Sequence, residues 1–144
     1  MLCVAPLVYA QDAARPKTKV WVSHSGSDNI GRELAYEVRE HIRRSAAYEL
    51  GTDAEHFFAI RLVTLDPDIN NASRGAATVA AVTITVINLL PYRAGNPQTW
   101  LPIYLTSTIV LSGRSRTSEM AKGIVADLDR EAEDYRAALL RVSP

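Results

Sequence analysis

The sequence predicts a single α+β domain, with a mainly antiparallel sheet of four or five strands and two amphipathic helices on one face. Two long segments alternate apolar and polar residues with a period of two, typical of an antiparallel sheet with one buried face. Two other segments repeat apolar residues three or four positions apart, typical of helices that pack on such a sheet. The chain has 144 residues, enough for one domain, and we assign that domain to residues 19–144.

The composition excludes several classes of protein. Lys and Arg together number 16, as do Asp and Glu, so the formal net charge is zero. A neutral chain lacks the basic surface of most nucleic-acid-binding proteins, and we expect no nucleic-acid partner. The chain has one cysteine, which excludes an internal disulfide and a multi-cysteine metal site. We expect no cofactor.

The first ten residues, MLCVAPLVYA, are predicted to be a signal peptide. Their apolar run ends with Val8 and Ala10 at the −3 and −1 positions of a cleavage site before Gln11. The positively charged region of such signals is absent, so we expect a truncated signal. The alternative is a buried first strand, which Pro6 disfavours.

This signal predicts a periplasmic or secreted protein. A polar linker over residues 11–18 follows the signal and precedes the domain. The apolar run is too short to span a bilayer, and no other segment is apolar enough to do so. We therefore expect no membrane span.

The domain begins with a strand, a turn and a helix. Lys19–His24 is β-branched and aromatic, and the Ser25–Asn29 segment supplies turn and helix-capping residues. A helix is predicted from Ile30 to about Ala46. Its apolar stripe comprises Ile30, Leu34, Ala35, Val38 and Ile42. A short strand is predicted around Tyr48–Leu50, and Gly51, Thr52 and Asp53 end it.

Three strands follow. Phe57–Leu65 is apolar on both faces apart from Arg61, which predicts a central strand. Thr78–Leu89 and Trp100–Leu111 both alternate. The face predicted to be buried in the last strand comprises Leu101, Ile103, Leu105, Ile109 and Leu111. The face predicted to be solvated comprises Thr83, Thr85, Tyr104, Thr106 and Thr108, and it offers a second possible binding surface.

The last helix is predicted from Ser118 to about Arg141. Its apolar seam comprises Ala121, Val125, Leu128, Ala132, Tyr135 and Leu139. We expect this seam to pack on the sheet. The alternative is that the last turns extend beyond the sheet and pair with another subunit, so the pattern permits self-association without requiring it.

The first strand–helix turn brings together residue types that occur in catalytic sites. His24, Ser25 and Asp28 are near neighbours in sequence, whereas a nucleophile, its base and an orienting carboxylate must converge from separate segments. Helix capping is therefore the favoured interpretation. The alternative is a small ligand-binding domain or enzyme with a pocket formed by His24, Ser25, Asp28 and Arg61. It requires these four side chains to converge.

A metal site is not predicted. Asp66, Asp68 and Asn70 match the first half of a calcium-binding loop, but Asn71 stands where glycine is needed and Ala77 where glutamate is needed. The three histidines lack metal-ligand spacing. No catalytic residues are assigned. Whether the protein is an enzyme stays open, and the lack of convergent catalytic residues favours a protein that is not an enzyme.

The segment between the last two strands is the candidate partner-binding site. It runs from Pro91 to Trp100 and is long for a hairpin connection. Tyr, Trp and Arg are enriched where proteins bind one another. The predicted partner-binding residues are Tyr92, Arg93, Trp100 and Tyr104. The alternative role of Trp100 is to close the core at the strand end.

The order of motifs and elements resembles two periplasmic domains. These are the amino-terminal domain of the Tol-system translocation protein and the periplasmic domain of the curli secretion lipoprotein. The matching residues are Val20, Val22, Ser27, Asp28, Gly31, Leu34, Ala35, Ser45, Tyr48 and Leu50. The resemblance implies a non-enzymatic envelope module that works by contact.

These observations together predict a non-enzymatic, secreted or periplasmic protein-interaction module. We expect it to be an accessory component of a bacterial envelope assembly, with another envelope protein or a second copy of itself as partner. A toxin or inhibitor that docks on another enzyme would show the same features.

Overall fold

The computed structural model describes residues 16–89 and 100–142. The predicted signal peptide and most of the loop at Pro91–Trp100 lie outside these residues. The helices and strands are β1 (Thr18–Ser25), α1 (Asn29–Arg44), β2 (Tyr48–Leu50), β3 (Phe58–Leu65), β4 (Ala77–Leu89), β5 (Trp100–Gly113) and α2 (Thr117–Val142). A short 3-10 turn at Arg114–Arg116 connects β5 to α2.

The strands form one five-stranded sheet in the order β2-β1-β3-β4-β5. The long pairings of β3 with β4 and of β4 with β5 are antiparallel. The pairings of β1 with β2 and with β3 are parallel. The sheet is therefore mixed, because α1 carries the chain back across the sheet so that β2 runs in the same direction as β1. The α+β prediction and the predominance of antiparallel pairing are confirmed.

Both helices pack on one face of the sheet. The core between them contains Val20, Val22, Leu34, Ala35, Val38, Ile42, Tyr48, Phe58, Ile60, Leu62, Ala80, Val82, Ile84, Val86, Ala121, Ile124, Leu128 and Ala132. The predicted stripe of α1 is fully buried, and β3 is central as predicted. This arrangement removes one apolar face of the sheet from water, and no helix within residues 16–89 and 100–142 covers the other face.

Helix α1 begins where Asp28 caps it. The Asp28 side chain accepts a hydrogen bond from the backbone N–H of Gly31 at 2.5 Å, which satisfies one of the unpaired donors at the helix start. The helix spans Asn29–Arg44, slightly shorter than the predicted Ile30–Ala46. The capping role predicted for this turn is therefore present.

Helix α2 buries a different set of residues from the predicted seam. Ile124 is buried, whereas Val125 and Tyr135 are only partly buried. Leu139 is 46% exposed. The helix contacts Tyr48 of the edge strand β2, and burial and a hydrogen bond with Asp129 of α2 raise the pKa of Tyr48. The predicted seam therefore lies on the correct face of the helix, except that Ile124 is buried instead of Val125 and that Leu139 is exposed.

Strand β5 contains a bulge that reverses the faces of its second half. Ile84 pairs with Thr106 and Thr85 pairs with Tyr104, so Leu105 has no partner in the register. One extra residue in a strand moves all later side chains to the opposite face. Ile109 and Leu111 lie after the bulge and are exposed, so the prediction that they are buried is wrong.

The same bulge divides the predicted threonine face. Thr83 and Thr85 of β4 lie on the face away from the helices. Thr106 and Thr108 pair with Ile84 and Val82 and therefore lie on the helix side. The sequence pattern did not reveal this, because both halves of β5 alternate correctly when each is considered by itself.

Candidate functional site: the open face of the sheet

The open face is the set of sheet side chains that point away from the helices. Its members follow from the strand register, since paired residues project from the same face. Across the strands from β1 to β5 the rows are Trp21, Ala59, Thr85 and Tyr104, then Ser23, Arg61, Thr83 and Ser107, then Ser25, Val63, Ala81 and Ile109, and finally Leu65, Val79 and Leu111.

One end of the open face is an exposed apolar patch. We define the apolar patch as Val63, Leu65, Val79, Ala81, Ile109 and Leu111. Ile109 is 76% exposed, Leu111 64%, Leu65 62% and Val63 59%. These side chains are contiguous, because opposite residues of paired strands lie about 5 Å apart. Isolated exposed aliphatic residues are common on proteins, whereas a contiguous group of them marks a contact surface.

The other end of the open face is aromatic and basic. The Arg61 guanidinium lies 5.4 Å from the centre of the Trp21 ring, a cation–π contact. The Tyr104 hydroxyl lies 3.0 Å from Ser107 Oγ, and Tyr104 is 60% exposed. Arg61 and Tyr104 therefore place polar atoms beside the apolar patch, as the rim of a protein-binding surface does.

The structure places only part of the predicted partner-binding site. Tyr92 and Arg93 lie outside the described residues. Trp100 begins β5, and its side chain is likewise outside what the structure describes. Tyr104 is exposed on the open face, as the sheet-face interpretation expected. The apolar patch was missed, because the bulge at Leu105 that exposes it leaves no clear sign in the sequence.

The structure separates the four residues of the alternative pocket. His24 and Asp28 come together on the helix side, where Thr64 joins them. Ser25 and Arg61 lie on the open face, on the opposite side of the sheet. The four side chains therefore do not converge, because neighbouring residues of a strand point to opposite faces.

Thr64 links β1, β3 and α1 through its hydroxyl group. Thr64 Oγ1 donates to Asp28 Oδ2 at 2.6 Å and lies 2.8 Å from His24 Nε2. A threonine hydroxyl has one proton, which is directed here at Asp28, so the His24 Nε2–H donates to Thr64. His24 cannot act as a base toward this hydroxyl in that arrangement. The three residues form a structural junction, and the strand pattern in the sequence does not indicate that Thr64 belongs to it.

The protonation of this junction follows from its surroundings. Burial raises the pKa of Asp28, but hydrogen bonds from Thr64, from the Gly31 N–H and from Thr78 outweigh it, so the pKa lies below its usual value. Burial lowers the pKa of His24, and Arg39 and Arg32 add to this effect while Asp28 opposes it. The junction therefore favours an ionised Asp28 and a neutral His24.

Two glycines allow this junction to form. A Cβ atom on Gly26 or Gly31 would lie 2.2 Å from Thr64 Oγ1. Gly26 also has a φ of +147°, a conformation that side-chain-bearing residues rarely adopt. These glycines on either side of Asp28 are the sequence signal that could have indicated a close approach by another strand.

A cleft of about 290 Å³ lies beside the start of α1. Its wall includes Asp66, whose Oδ1 accepts from the Asp68 N–H at 2.9 Å and whose Oδ2 accepts from the Gly75 N–H at 2.8 Å. Asp66 thus holds the β3–β4 connection closed. The partial calcium-loop pattern corresponds to this turn. Within residues 16–89 and 100–142 no group of three or more His, Cys, Asp or Glu side chains could hold a metal ion.

The fold and the open face define a two-layer α+β domain that covers one side of its sheet and exposes the other. No protein-family model matches the chain, and neither does any curated protein. The chain is similar to the solved structure of the rare lipoprotein B from Shewanella oneidensis, with 14% sequence identity and a TM-score of 0.35. The match covers 86% of this chain and 98% of that chain.

The resemblance to the Tol-system and curli domains is not confirmed by these comparisons and stays a prediction. Neither helix, over the residues described, is long and apolar enough to cross a membrane.

Proposed function

We propose that this chain is a non-enzymatic protein-interaction module that binds its partner through the open face of its sheet. The single observation that carries the proposal is the apolar patch. Its four large aliphatic side chains, Val63, Leu65, Ile109 and Leu111, are each more than half exposed. Fully burying one such side chain contributes about 1.5–3 kcal/mol, so a partner that covers all four would gain several kcal/mol.

The surroundings of the apolar patch support a protein partner. Arg61 and Tyr104 lie on the same face, and both residue types are enriched at protein-binding hot spots. A flat, mixed surface of this kind fits another protein better than a small molecule, which needs a concave pocket. The partner is therefore expected to present a complementary apolar surface.

We place this module in a bacterial envelope assembly, as an accessory component. The support is the signal-like segment Met1–Ala10, with its cleavage pattern before Gln11. Export through this signal would deliver the domain to the periplasm or the exterior. Its partner there would be another envelope protein.

Site-specific photocrosslinking in intact cells of the native host tests the proposal. A photoreactive amino acid replaces Val63 on the open face, and in a control it replaces Lys122, which is exposed on α2. We expect an envelope protein to be crosslinked from position 63 and not from position 122. Leu65→Asp should abolish that crosslink while the domain stays folded. Equal crosslinking from both positions, or none, would contradict the proposal.

A further inference from the structure

Strand β5 is an edge of the sheet with almost none of the features that protect edges. It is 14 residues long, whereas β2 at the opposite edge has three. Edge strands expose unpaired backbone N–H and C=O groups, and proteins usually protect them with charges, prolines, bulges or short length. Strand β5 has no charged residue between Trp100 and Gly113.

The two protective features that β5 does have lie in its first half. Pro102 lacks an N–H group, and the bulge at Leu105 distorts the strand. The segment from Ser107 to Gly113 follows both of them. It pairs regularly with β4 on its inner side, so its outer edge is a regular template for another strand.

The segment outside the structure that adjoins β5 does not reach this edge. Residues 90–99 connect Leu89 to Trp100, and a ten-residue connection anchored at both ends extends about 17 Å at most. Val110 lies ten residues along β5 from Trp100, about 34 Å away. Among the described residues no strand pairs with the outer edge near Val110, which is therefore available to a separate chain.

We propose that the outer edge of β5 pairs with the same strand of a second copy of this chain, antiparallel about a two-fold axis at Val110. In this register Ile109 of each copy lies opposite Leu111 of the other, and Thr108 lies opposite Ser112. Two uncharged strands pair without opposing like charges, and aliphatic cross-strand pairs stabilise antiparallel sheets. The result is a closed, symmetric dimer with a continuous ten-stranded sheet.

This pairing joins the apolar patches of the two copies. Ile109 and Leu111 belong to the patch and lie at the edge, so the patches of the two copies meet across the axis. If the proposed function holds, the dimer presents one docking surface of twice the area. The pairing itself depends only on β5 and does not require an envelope partner.

Sedimentation of the full-length purified protein tests the dimer. We expect a concentration-dependent monomer–dimer equilibrium. Nearly all of the protein should be dimeric at about 100 µM, a concentration at which interfaces of micromolar affinity are occupied. Ile109→Lys should weaken dimerisation by about tenfold or more, because it introduces a charge opposite Leu111 of the other copy. Val63→Lys, on the same face but two strands from the edge, should leave dimerisation unchanged. A monomer at every concentration, or equal effects of the two variants, overturns the proposal.

Cysteine crosslinking tests the register. In a Cys3→Ser background, Ile109→Cys and Leu111→Cys chains are prepared separately, mixed and oxidised. We expect the mixture to form disulfide dimers faster than either chain alone, because 109 faces 111 across the axis whereas identical positions are diagonal. Equal rates for the mixture and the single chains overturn the register. If no envelope protein is photocrosslinked from position 63 while the dimer still forms, the result contradicts the proposed function and not the dimer.

Discussion

At the scale of single residues, the best-defined feature of the domain is the junction of His24, Thr64 and Asp28. Its three side chains come from β1, β3 and the start of α1, and the Thr64 hydroxyl contacts the other two. His24 and Asp28, two of the residues of the alternative pocket predicted from the sequence, therefore help to hold three elements together. Their hydrogen bonds and pKa values lead to three predictions about stability.

Thr64→Val is expected to destabilise the domain. Valine has a similar shape but no hydroxyl, so Asp28 loses a donor and His24 loses an acceptor in a partly buried site. We expect a loss of about 2 kcal/mol in the free energy of unfolding, measured by urea denaturation. Thr83→Val, on the open face, is the matched control and should change stability by less than about 0.5 kcal/mol. Similar effects of the two variants would show that the junction contributes nothing.

The domain is expected to lose stability as the pH is lowered, because His24 becomes protonated. Its pKa in the folded state is lowered below 6.5, mainly by burial. The unfolded chain therefore binds a proton more readily, so this contribution is present above pH 6.5 and is lost as the pH falls through the lowered pKa. Unfolding measured from neutral pH downward should show this loss, and His24→Gln should reduce it. An unchanged pH dependence in the variant would contradict the prediction.

A second loss is expected at lower pH through Asp28. Its folded-state pKa lies below 3.8, because its hydrogen bonds outweigh the effect of burial. The stability it contributes is therefore present above pH 3.8 and is lost as the pH falls through the lowered value. Asp28→Asn should reduce the loss in this lower range while the loss through His24 near neutral pH persists.

At the scale of the elements, the bulge in β5 decides the character of the open face. Without the extra residue, Ile109 and Leu111 would share the helix side with Ile84 and Val82. With it, they face outward beside Val63 and Leu65. A single inserted residue in one strand thus exposes two of the four large aliphatic side chains of the apolar patch.

Truncation of two isoleucines in neighbouring strands should therefore change stability by very different amounts. Ile84→Ala removes a side chain that is 2% exposed and is expected to cost about 2–5 kcal/mol of stability. Ile109→Ala removes one that is 76% exposed and should change stability by less than about 0.5 kcal/mol. Thermal or urea unfolding of the two variants measures this difference. Measured at a concentration low enough for the proposed dimer to dissociate, a large loss in Ile109→Ala would show that the residue is buried within the monomer.

At the scale of the whole molecule, the open face and the predicted signal peptide fit the same proposed function. An exported domain would be able to expose an apolar sheet face to a partner in the envelope. The expected mature chain begins at Gln11, since Val8 and Ala10 occupy the −3 and −1 positions of the cleavage site. Intact-mass measurement on protein from the periplasmic fraction tests this. A chain that retains Met1 and stays in the cytoplasmic fraction would contradict the localisation.

Several features of this protein were determined by the sequence alone. The stripe of α1, the central position of β3 and the capping role of Asp28 all follow from local rules of periodicity and side-chain hydrogen bonding. Such rules depend only on residues a few positions apart, so a short segment of the sequence contains all the information that they need. The α+β class was predictable for the same reason.

Only the tertiary structure decided which faces are exposed and which polar residues meet. Alternation shows that Thr108 and Ile109 point in opposite directions, but not which of them faces the helices, because a bulge upstream changes the answer. The parallel pairing of β1 with β3 joins residues 38 positions apart, and the contact of Thr64 with His24 joins residues 40 positions apart. These features depend on how distant segments pack against one another, and no local pattern in the sequence specifies that.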